Sequence, residues 1–144
     1  MIVIEGRNAS GKTCKVLDEF NNEDSILIMP HRTIYFYTKD KEMVCKLKGA
    51  SDFSERYSDY LDHYHSNSFG IQRRERRLSK EKFANRMITG YYNSFKDDYK
   101  TIVVDLDIPK QYIEGCNIDD DKLIVTVINN QMDGFREYIK TYEN

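Results

Sequence analysis

A glycine-rich segment directly after a short apolar run narrows the possible folds of this chain more than any other part of it. The apolar run is residues 2–4, and the pattern G-x-x-x-x-G-K-T extends from Gly6 to Thr13. A short, continuous apolar run is typical of a strand buried on both faces of a sheet. The next segment suits a helix, because apolar residues recur on one side of it at Val16, Leu17 and Phe20. A strand, a loop and a helix in this order indicate a phosphate-binding loop; the alternative is a chance match in a glycine-rich turn.

The residues of this loop suit the binding of a nucleoside triphosphate. Gly6 and Gly11 allow backbone conformations closed to other residues, so that successive N–H groups can point at phosphate oxygens. The N-terminus of the following helix adds a partial positive charge. Lys12 is expected to face solvent until it meets the terminal phosphates, and the Thr13 hydroxyl is expected to bind Mg²⁺. We therefore predict that ATP or another nucleoside triphosphate binds, with Mg²⁺, to Gly6, Arg7, Asn8, Ala9, Ser10, Gly11, Lys12, Thr13 and Cys14.

Length and composition favour one soluble, cytoplasmic domain. The chain has 144 residues, which suits a single domain covering 1–144 with one substantial core. Its formal net charge of −2 gives no overall field toward nucleic acid or membranes. No apolar run approaches the length of a membrane span, and the first residues enter a strand directly, so we expect neither a membrane partner nor a signal peptide. The cysteines are widely spaced, which suits a reducing cytosol and gives no zinc pattern.

A second apolar run, residues 25–29, predicts the next strand and ends at Pro30. Two strands joined by one helix imply a parallel pair with a right-handed crossover. Arg32 follows at the edge where open α/β sheets bind ligands, so it either holds a substrate phosphate or carboxylate or is a solvated loop residue. Residues 33–38 and 43–47 flank a polar turn and suit a hairpin, although the first segment also fits an extension of the second strand or the start of a helix.

Residues 53–99 are predicted to be mostly helical and carry an arginine-rich cluster. Apolar and aromatic residues recur in them at helical spacing, at Tyr57, Tyr60, Leu61 and Tyr64 and again at Phe83, Met87, Tyr91 and Phe95. Residues 73–86 contain seven basic residues and two acidic ones. Such a charge run is most often a solvated helix face, but it also suits a mobile element that closes on phosphates or a patch for nucleic acid. On a helix, Arg74 is rotated away from one face that holds the candidate catalytic residues Arg73, Arg76 and Arg77.

Two carboxylates end the third apolar strand, residues 101–109. Asp105 and Asp107 are two residues apart, so they point the same way from an extended chain. Aspartates at this place organise Mg²⁺ in phosphate-loop proteins, and the alternative is that they cap the next segment. Residues 122–128 predict a fourth strand, and residues 135–142 have the spacing of a final amphipathic helix.

Several of these segments resemble the thymidylate kinase and deoxynucleoside kinase branch of P-loop kinases. Residues 2–13 are similar to the opening of those kinases, whose strand commonly ends in Ile-Glu-Gly before the phosphate loop. Residues 54–57, Ser-Glu-Arg-Tyr, resemble their Asp-Arg-Tyr element, with Glu55 in the acidic position. Residues 101–109 look like their later strand ending in Leu-Asp-x-Pro, and residues 128–130 before a last helix are similar to how many of them finish.

The resemblance implies an ATP- and Mg²⁺-dependent kinase of a nucleoside, a nucleotide or a similar small acceptor. It implies that Lys12 holds the donor phosphates, that Glu55 is the base, and that Arg32 and Arg56 bind the acceptor. The metal ligands that it implies are Thr13 with Asp105 or Asp107.

The chain also departs from this family. The kinases usually carry an arginine-bearing lid after the Leu-Asp-x-Pro strand, whereas here that place holds the aspartates 119–121 and the arginines lie upstream. The alternative is a P-loop ATPase or nucleotide-dependent binding protein that acts on a protein or nucleic-acid partner, with Asp105 as its Walker B residue and Asn129 as a sensor. Leu106 stands where such ATPases often have a catalytic Glu, which weakens efficient hydrolysis.

Together these elements predict a three-layer α/β/α sandwich of the P-loop NTPase type, with a mainly parallel sheet of four or five strands. The helical, arginine-rich part at about 50–99 is expected to be an insertion in that domain.

Overall fold

The computed structural model describes residues 1–7, 10–12, 15–16, 24–29, 33–37, 43–48, 53–66 and 77–140. The strands in these stretches are β1 (Ile2–Gly6), β2 (Ser25–Met29), β3 (Thr33–Tyr37), β4 (Met43–Lys48), β5 (Thr101–Pro109), β6 (Leu123–Ile128) and β7 (Phe135–Ile139). The helices are α1 (Phe53–Ser66), α2 (Lys80–Phe95) and a 3₁₀ helix, Lys110–Ile113. Lys12, Lys15 and Val16 are also helical.

The strands form one mixed sheet in the order β4-β3-β2-β5-β6-β1-β7. The four central strands, β2, β5, β6 and β1, are parallel. β7 pairs antiparallel with β1 at one edge, and β3 and β4 continue antiparallel from β2 at the other. The fold is therefore α/β, as expected. The prediction of a mainly parallel sheet with four or five strands was wrong, because seven strands are described and three of their six pairings are antiparallel. The apolar runs of the sequence identified the four central strands. They did not indicate how many antiparallel strands pair at the two edges of the sheet.

The predictions for the two edges of the sheet differed in their outcome. Of the three alternatives for residues 33–38, the hairpin with residues 43–47 is confirmed, since β3 and β4 pair antiparallel with a register shift between Ile34 and Tyr35. The predicted final helix is wrong, because Phe135–Ile139 is a strand. Gly134, with φ 82°, turns the chain into β7, and the strand gains a full ladder against β1. The five residues Phe-Arg-Glu-Tyr-Ile fit either period, so tertiary pairing decided the outcome.

Both faces of the sheet are covered. On one face, Val3, Val104 and Val125 belong to a large core that α1 and α2 close with Phe53, Ala84 and Ile88. On the other face, Val16 packs in a smaller cluster with Ile4, Leu27, Val103 and Ile124. Adjacent residues of a strand point to opposite faces, which is why Val3 and Ile4 lie in different clusters. The helix after the loop and the pair α1 and α2 therefore lie on opposite sides of the sheet.

The predicted helical region is confirmed in its two described parts, α1 and α2. α2 begins after Ser79, whose Oγ accepts a hydrogen bond from the backbone N–H of Lys82. The preceding backbone is fixed against α1, since Leu78 accepts a hydrogen bond from the Tyr57 hydroxyl at 2.7 Å and donates one to the Tyr60 hydroxyl at 2.7 Å. No helix in the described stretches has the length and apolar character that crossing a membrane requires.

Candidate phosphate-binding site

The two glycines of the loop are required by its geometry. Gly6 ends β1 at the carboxyl edge of the parallel strands. A Cβ atom on Gly6 would lie 2.6 Å from Cβ of Phe135 and 2.7 Å from both the Gly134 carbonyl oxygen and Ser10 Oγ. Gly11 has φ 97°, a conformation that side-chain-bearing residues rarely adopt. The spacing of glycines in the sequence therefore corresponds to a tight turn from β1 into the helix at Lys12.

Lys12 lies inside this turn. Its side chain is only 5% exposed, and Nζ donates hydrogen bonds to the carbonyl oxygens of Gly6 at 2.9 Å and Arg7 at 2.7 Å. The expectation that Lys12 faces solvent was wrong, because the loop carbonyls offer its ammonium closer partners than water does. A phosphate in the loop would offer the same cation negatively charged oxygens, which are stronger acceptors than neutral carbonyls.

Ser10 leaves a polar atom unsatisfied in the same loop. Its Oγ is buried and has no hydrogen-bond partner within the described stretches. A buried hydroxyl without a partner costs about 1–3 kcal/mol. The hydroxyl lies close to Gly6, where β1 ends and the chain leads into a helix whose N-terminus suits an anion. Ser10 therefore gains a partner if a phosphate oxygen enters the loop.

Asp105 lies on the same face of the sheet as the helix after the loop. It is 5% exposed, and its Oδ1 accepts a hydrogen bond from Thr126 Oγ1 at 2.7 Å. β6 separates β5 from β1, so Asp105 is two strand spacings, about 10 Å, from the strand that leads into the loop. The register of β5 against β6 shifts between Val104 and Ile108, as at the bulges often found beside active sites. Asp107 lies in this part of β5, and its side chain is not among those described.

A second polar cluster lies behind the loop, on the opposite face, around Glu5. This carboxylate is fully buried. It forms ion pairs with Lys110 Nζ at 2.8 Å and Arg136 NH2 at 3.1 Å, and it accepts a hydrogen bond from Asn129 Nδ2 at 3.3 Å. Burial raises the pKa of Glu5, but the hydrogen bonds from Lys110 and Asn129 and the charges of Lys110 and Arg136 outweigh it and hold the pKa below its ordinary value. Glu5 is therefore ionised and ties three elements to β1.

Asn129 connects the tip of β6 to the loop. Its backbone N–H donates to the Gly6 carbonyl oxygen at 2.9 Å, and its side-chain Oδ1 accepts from the Gln131 backbone N–H at 3.1 Å. Together with its bond to Glu5, these contacts fix Asn129 beside the first glycine of the loop. The expected place of Asn129, at the carboxyl end of the fourth parallel strand, is confirmed.

The candidate acceptor residues that the structure describes, Glu55 and Arg56, lie on the side of the sheet that α1 and α2 cover. Glu55 and Arg56 are in the first turn of α1, and the Arg56 guanidinium lies 5.3 Å from the centre of the Tyr91 ring. Arg56 also lines a groove of about 760 Å³ between α1 and α2, together with Tyr60, His63, Phe83 and Arg86. The groove combines aromatic rings with charged groups of both signs.

Part of the expected site falls outside the described residues: Asn8, Ala9, Thr13, Cys14, Arg32, Arg73, Arg74 and Arg76. Arg77 is described and exposed. It is not helical, since α2 begins at Lys80. The expectation that Arg77 shares a helical face with Arg73 and Arg76 was therefore wrong for Arg77, because the Ser79 cap starts the helix after it.

Sequence reasoning missed Thr126, Phe135 and the role of Glu5. A carboxylate at the end of an otherwise apolar buried strand was the available signal for Glu5, because a buried charge requires partners. Thr126 had a weaker signal, as one polar residue within the apolar run of β6. Phe135 had none, because it was assigned to a helix.

Comparison of the chain with protein-family models, curated proteins and solved structures gave no match. Its function is therefore inferred from its own residues and their geometry.

Proposed function

We propose that this chain binds a nucleoside triphosphate with Mg²⁺ in the loop of residues 6–13 and transfers the terminal phosphoryl group. The observation that carries the proposal is the turn from β1 into the helix at Lys12. Its glycines are required by close contacts and a positive φ. It contains a buried lysine ammonium and a serine hydroxyl that has no partner among the described residues. An anion with several oxygens satisfies these groups together.

Each group has a defined part in phosphate binding. The loop N–H groups and the helix N-terminus would hold the donor phosphates, and Lys12 would exchange its bonds to Gly6 and Arg7 for bonds to phosphate oxygens. Phosphoryl transfer needs mainly positioning and charge stabilisation from a protein, so these groups suffice without a covalent intermediate. A three-layer P-loop sandwich accords with this proposal, because helices pack on both faces of the sheet around the loop.

Mg²⁺ would be held by Thr13 with Asp105 or Asp107. Within the described residues, no three His, Cys, Asp or Glu side chains form a group suited to a metal ion. Mg²⁺ in phosphate sites needs no such group, since it uses one or two carboxylates, substrate phosphates and retained waters. The distance between β1 and β5 suits a carboxylate that acts through water. When bound, the ion neutralises phosphate charge during transfer.

A nucleoside, a nucleotide or a similar small molecule is the first candidate acceptor. The groove between α1 and α2 has a suitable volume, about 760 Å³, which lies within the range of small-molecule sites. It lies across the sheet from the helix after the loop, so transfer requires the acceptor to reach the loop over the carboxyl edge of the strands. Arg56 and Arg86 would bind an acceptor phosphate there, and Tyr60 and Phe83 offer aromatic faces to a base. Glu55, next to Arg56, remains the proposed base.

Nucleotide hydrolysis coupled to a protein or nucleic-acid partner is the second candidate. The position of Asn129 favours it, because its backbone N–H is bonded to the Gly6 carbonyl oxygen and its side-chain amide to Glu5, which fixes it beside the first glycine of the loop. A sensor of bound nucleotide requires such a place. The exposed basic residues Arg77, Lys80, Lys82 and Arg86 would then contribute to a nucleic-acid surface.

Labelled ATP separates these candidates. The protein is incubated with γ-labelled ATP and Mg²⁺ alone, with a panel of nucleosides and nucleotides, and with DNA or RNA. Label appearing on an acceptor supports the kinase. Phosphate release that needs no acceptor and rises with nucleic acid supports the ATPase. Absence of ATP binding by calorimetry would refute both.

A further inference from the structure

Phe135, the first residue of β7, lies directly against the phosphate loop. It pairs with Gly6 in the ladder between β1 and β7, and its Cβ is the closest contact that a side chain on Gly6 would meet. Its ring lies over Gly11: atoms Cε1 and Cδ1 are 3.5 Å and 3.8 Å from the position of a Cβ there. The Phe135 side chain therefore lies beside both glycines of the loop, with its Cβ at Gly6 and its ring at Gly11, where the helix starts.

The same ring is open to solvent. Phe135 is 40% exposed, and Ile139 of the same strand is the other large apolar side chain exposed within the described stretches. An aromatic ring with one side on the loop and the other toward water has area left to bury. Ligand sites typically combine such apolar surface with a few polar groups, and here the polar groups are those of the loop.

The position of Phe135 is fixed by three links between β7 and the loop region. The Arg7 backbone N–H donates to the Gly134 carbonyl oxygen at 3.3 Å, β7 pairs along β1, and Glu137 forms an ion pair with Lys15 at 3.4 Å. Lys15 lies in the helix that follows the loop. A ring held by rigid elements loses little freedom when a ligand packs on it, which favours binding.

We propose that Phe135 is the stacking platform for the base of the nucleoside triphosphate whose phosphates occupy the loop. This inference rests on the proposed function and adds the recognition of the base. Phosphates in the loop bring the attached nucleoside close to this exposed ring. Stacking uses the face of a base and not its edge, so the platform would accept different bases and prefer purines, which offer the larger face.

The test compares a ligand that has a base with one that lacks it. Calorimetry gives the affinities of ATP and of inorganic tripolyphosphate for the wild type, Phe135→Ala, Phe135→Leu, Phe135→Tyr and Ile139→Ala. We expect Phe135→Ala to weaken ATP at least fivefold, the low end for one stacked base, and to change tripolyphosphate less than twofold. Phe135→Leu keeps apolar bulk without a flat ring and should also weaken ATP, whereas Phe135→Tyr and Ile139→Ala should bind ATP like the wild type.

A fluorescence measurement gives a second readout. The chain contains no tryptophan, so Phe135→Trp introduces a single reporter at the proposed platform. ATP should quench this fluorescence at saturation, and tripolyphosphate should leave it nearly unchanged. Thermal melts of each variant with circular dichroism check that the fold is retained.

The outcomes separate this inference from the function on which it rests. If the wild type binds tripolyphosphate and ATP through Lys12, but the ratio of the two affinities is the same in every Phe135 variant, stacking is refuted and the phosphate site stands. Equal weakening of both ligands means that the ring only supports the loop, which also refutes stacking. If the wild type binds neither ligand, both proposals fail.

Discussion

Lys12 and Asn129 donate hydrogen bonds to one acceptor, the carbonyl oxygen of Gly6, from Nζ at 2.9 Å and from the backbone N–H at 2.9 Å. The first bond closes the loop on itself, and the second fixes the loop to the tip of β6. A ligand that draws the Lys12 ammonium away from Gly6 leaves the bond to Asn129 in place. The first glycine of the loop is thus anchored independently of what Lys12 binds, as a preorganised phosphate site requires.

Replacement of Lys12 by alanine should abolish phosphoryl transfer and weaken ATP binding. The reason is that the Lys12 ammonium lies inside the loop, where in the proposed reaction it would stabilise charge on the transferring phosphates. The fold should survive, since the Gly6 carbonyl keeps its bond from Asn129. Turnover, ATP affinity and the thermal midpoint are measured together.

Lys15→Ala is the matched control, because Lys15 lies one turn further along the same helix and pairs with Glu137 at the surface. The other two links between β7 and the loop region, the Arg7–Gly134 bond and the ladder with β1, remain. It should keep wild-type turnover. Wild-type turnover in Lys12→Ala would mean that the loop is not a catalytic phosphate site.

Removal of the charge on Asp105 should eliminate Mg²⁺-dependent activity more strongly than the same change at Asp107. Asp105→Asn keeps an oxygen that can accept the bond from Thr126, so it should fold normally and lose only the carboxylate. Thr126→Val removes the group that orients Asp105 and should lower activity without removing it. Activity titrated with Mg²⁺ for Asp105→Asn, Asp107→Asn and Thr126→Val tests this order. Equal, negligible effects at the two aspartates would show that the pair is structural.

Several elements of the fold were predictable because their signals are local. The apolar runs of β1, β2, β5 and β6 identified the parallel centre of the sheet, and the Ser79-capped helix and its partner α1 followed from helical spacing. β7 was not predictable in the same way. The segment Phe-Arg-Glu-Tyr-Ile supports either period, and only the vacant edge of β1, which is a tertiary feature, selects the strand.

The residues of the candidate site also differ in whether a local sequence signal could predict them. The glycine pattern predicted the loop because glycine is required there by conformation, a property of the residue itself. The cluster around Glu5 joins residues up to 131 positions apart, which no local pattern specifies. The inward position of Lys12 likewise depends on carbonyl oxygens that become neighbours only after the turn has formed.

Loss of the Glu5 charge should destabilise the protein less than loss of the two cations that pair with it. Glu5→Gln leaves Lys110 and Arg136, whose side chains are 41% and 58% exposed, to be solvated by water, so it should cost about 1 kcal/mol of unfolding free energy. The double variant Lys110→Ala with Arg136→Ala leaves a fully buried carboxylate without its cations. It should cost more, on the order of 2 kcal/mol after allowance for the exposure of the cations. Urea denaturation measures both, and the opposite order would contradict the charge assignment.

The same cluster predicts a dependence of stability on pH. The pKa of Glu5 is lower in the folded chain than its ordinary value of 4.5, so its contribution is fully present above pH 4.5 and is lost as pH falls from there through the folded pKa. The thermal midpoint of the wild type should therefore fall more steeply below pH 4.5 than that of Glu5→Gln. Parallel curves for the two proteins over this range would show that Glu5 does not carry the effect.

The arginine cluster yields the last prediction, a test between catalysis and nucleic-acid binding. Arg77 directly precedes Leu78, whose backbone is hydrogen-bonded to Tyr57 and Tyr60 of α1. The backbone next to Arg77 is therefore anchored, while the Arg77 side chain is exposed. If the cluster closes on the transferring phosphate, one of Arg73→Ala, Arg76→Ala and Arg77→Ala should lower kcat at least tenfold, since one well-placed arginine can contribute a thousandfold or more. Lys80→Ala, in the exposed first turn of α2, is the matched control for catalysis and should leave kcat nearly unchanged. Near-wild-type kcat in all the arginine variants would refute the hypothesis that the cluster closes on the transferring phosphate. If DNA or RNA binding then loses about one unit of salt slope per substitution, the cluster is a nucleic-acid surface and the ATPase is favoured, because each lost phosphate contact releases one counterion fewer.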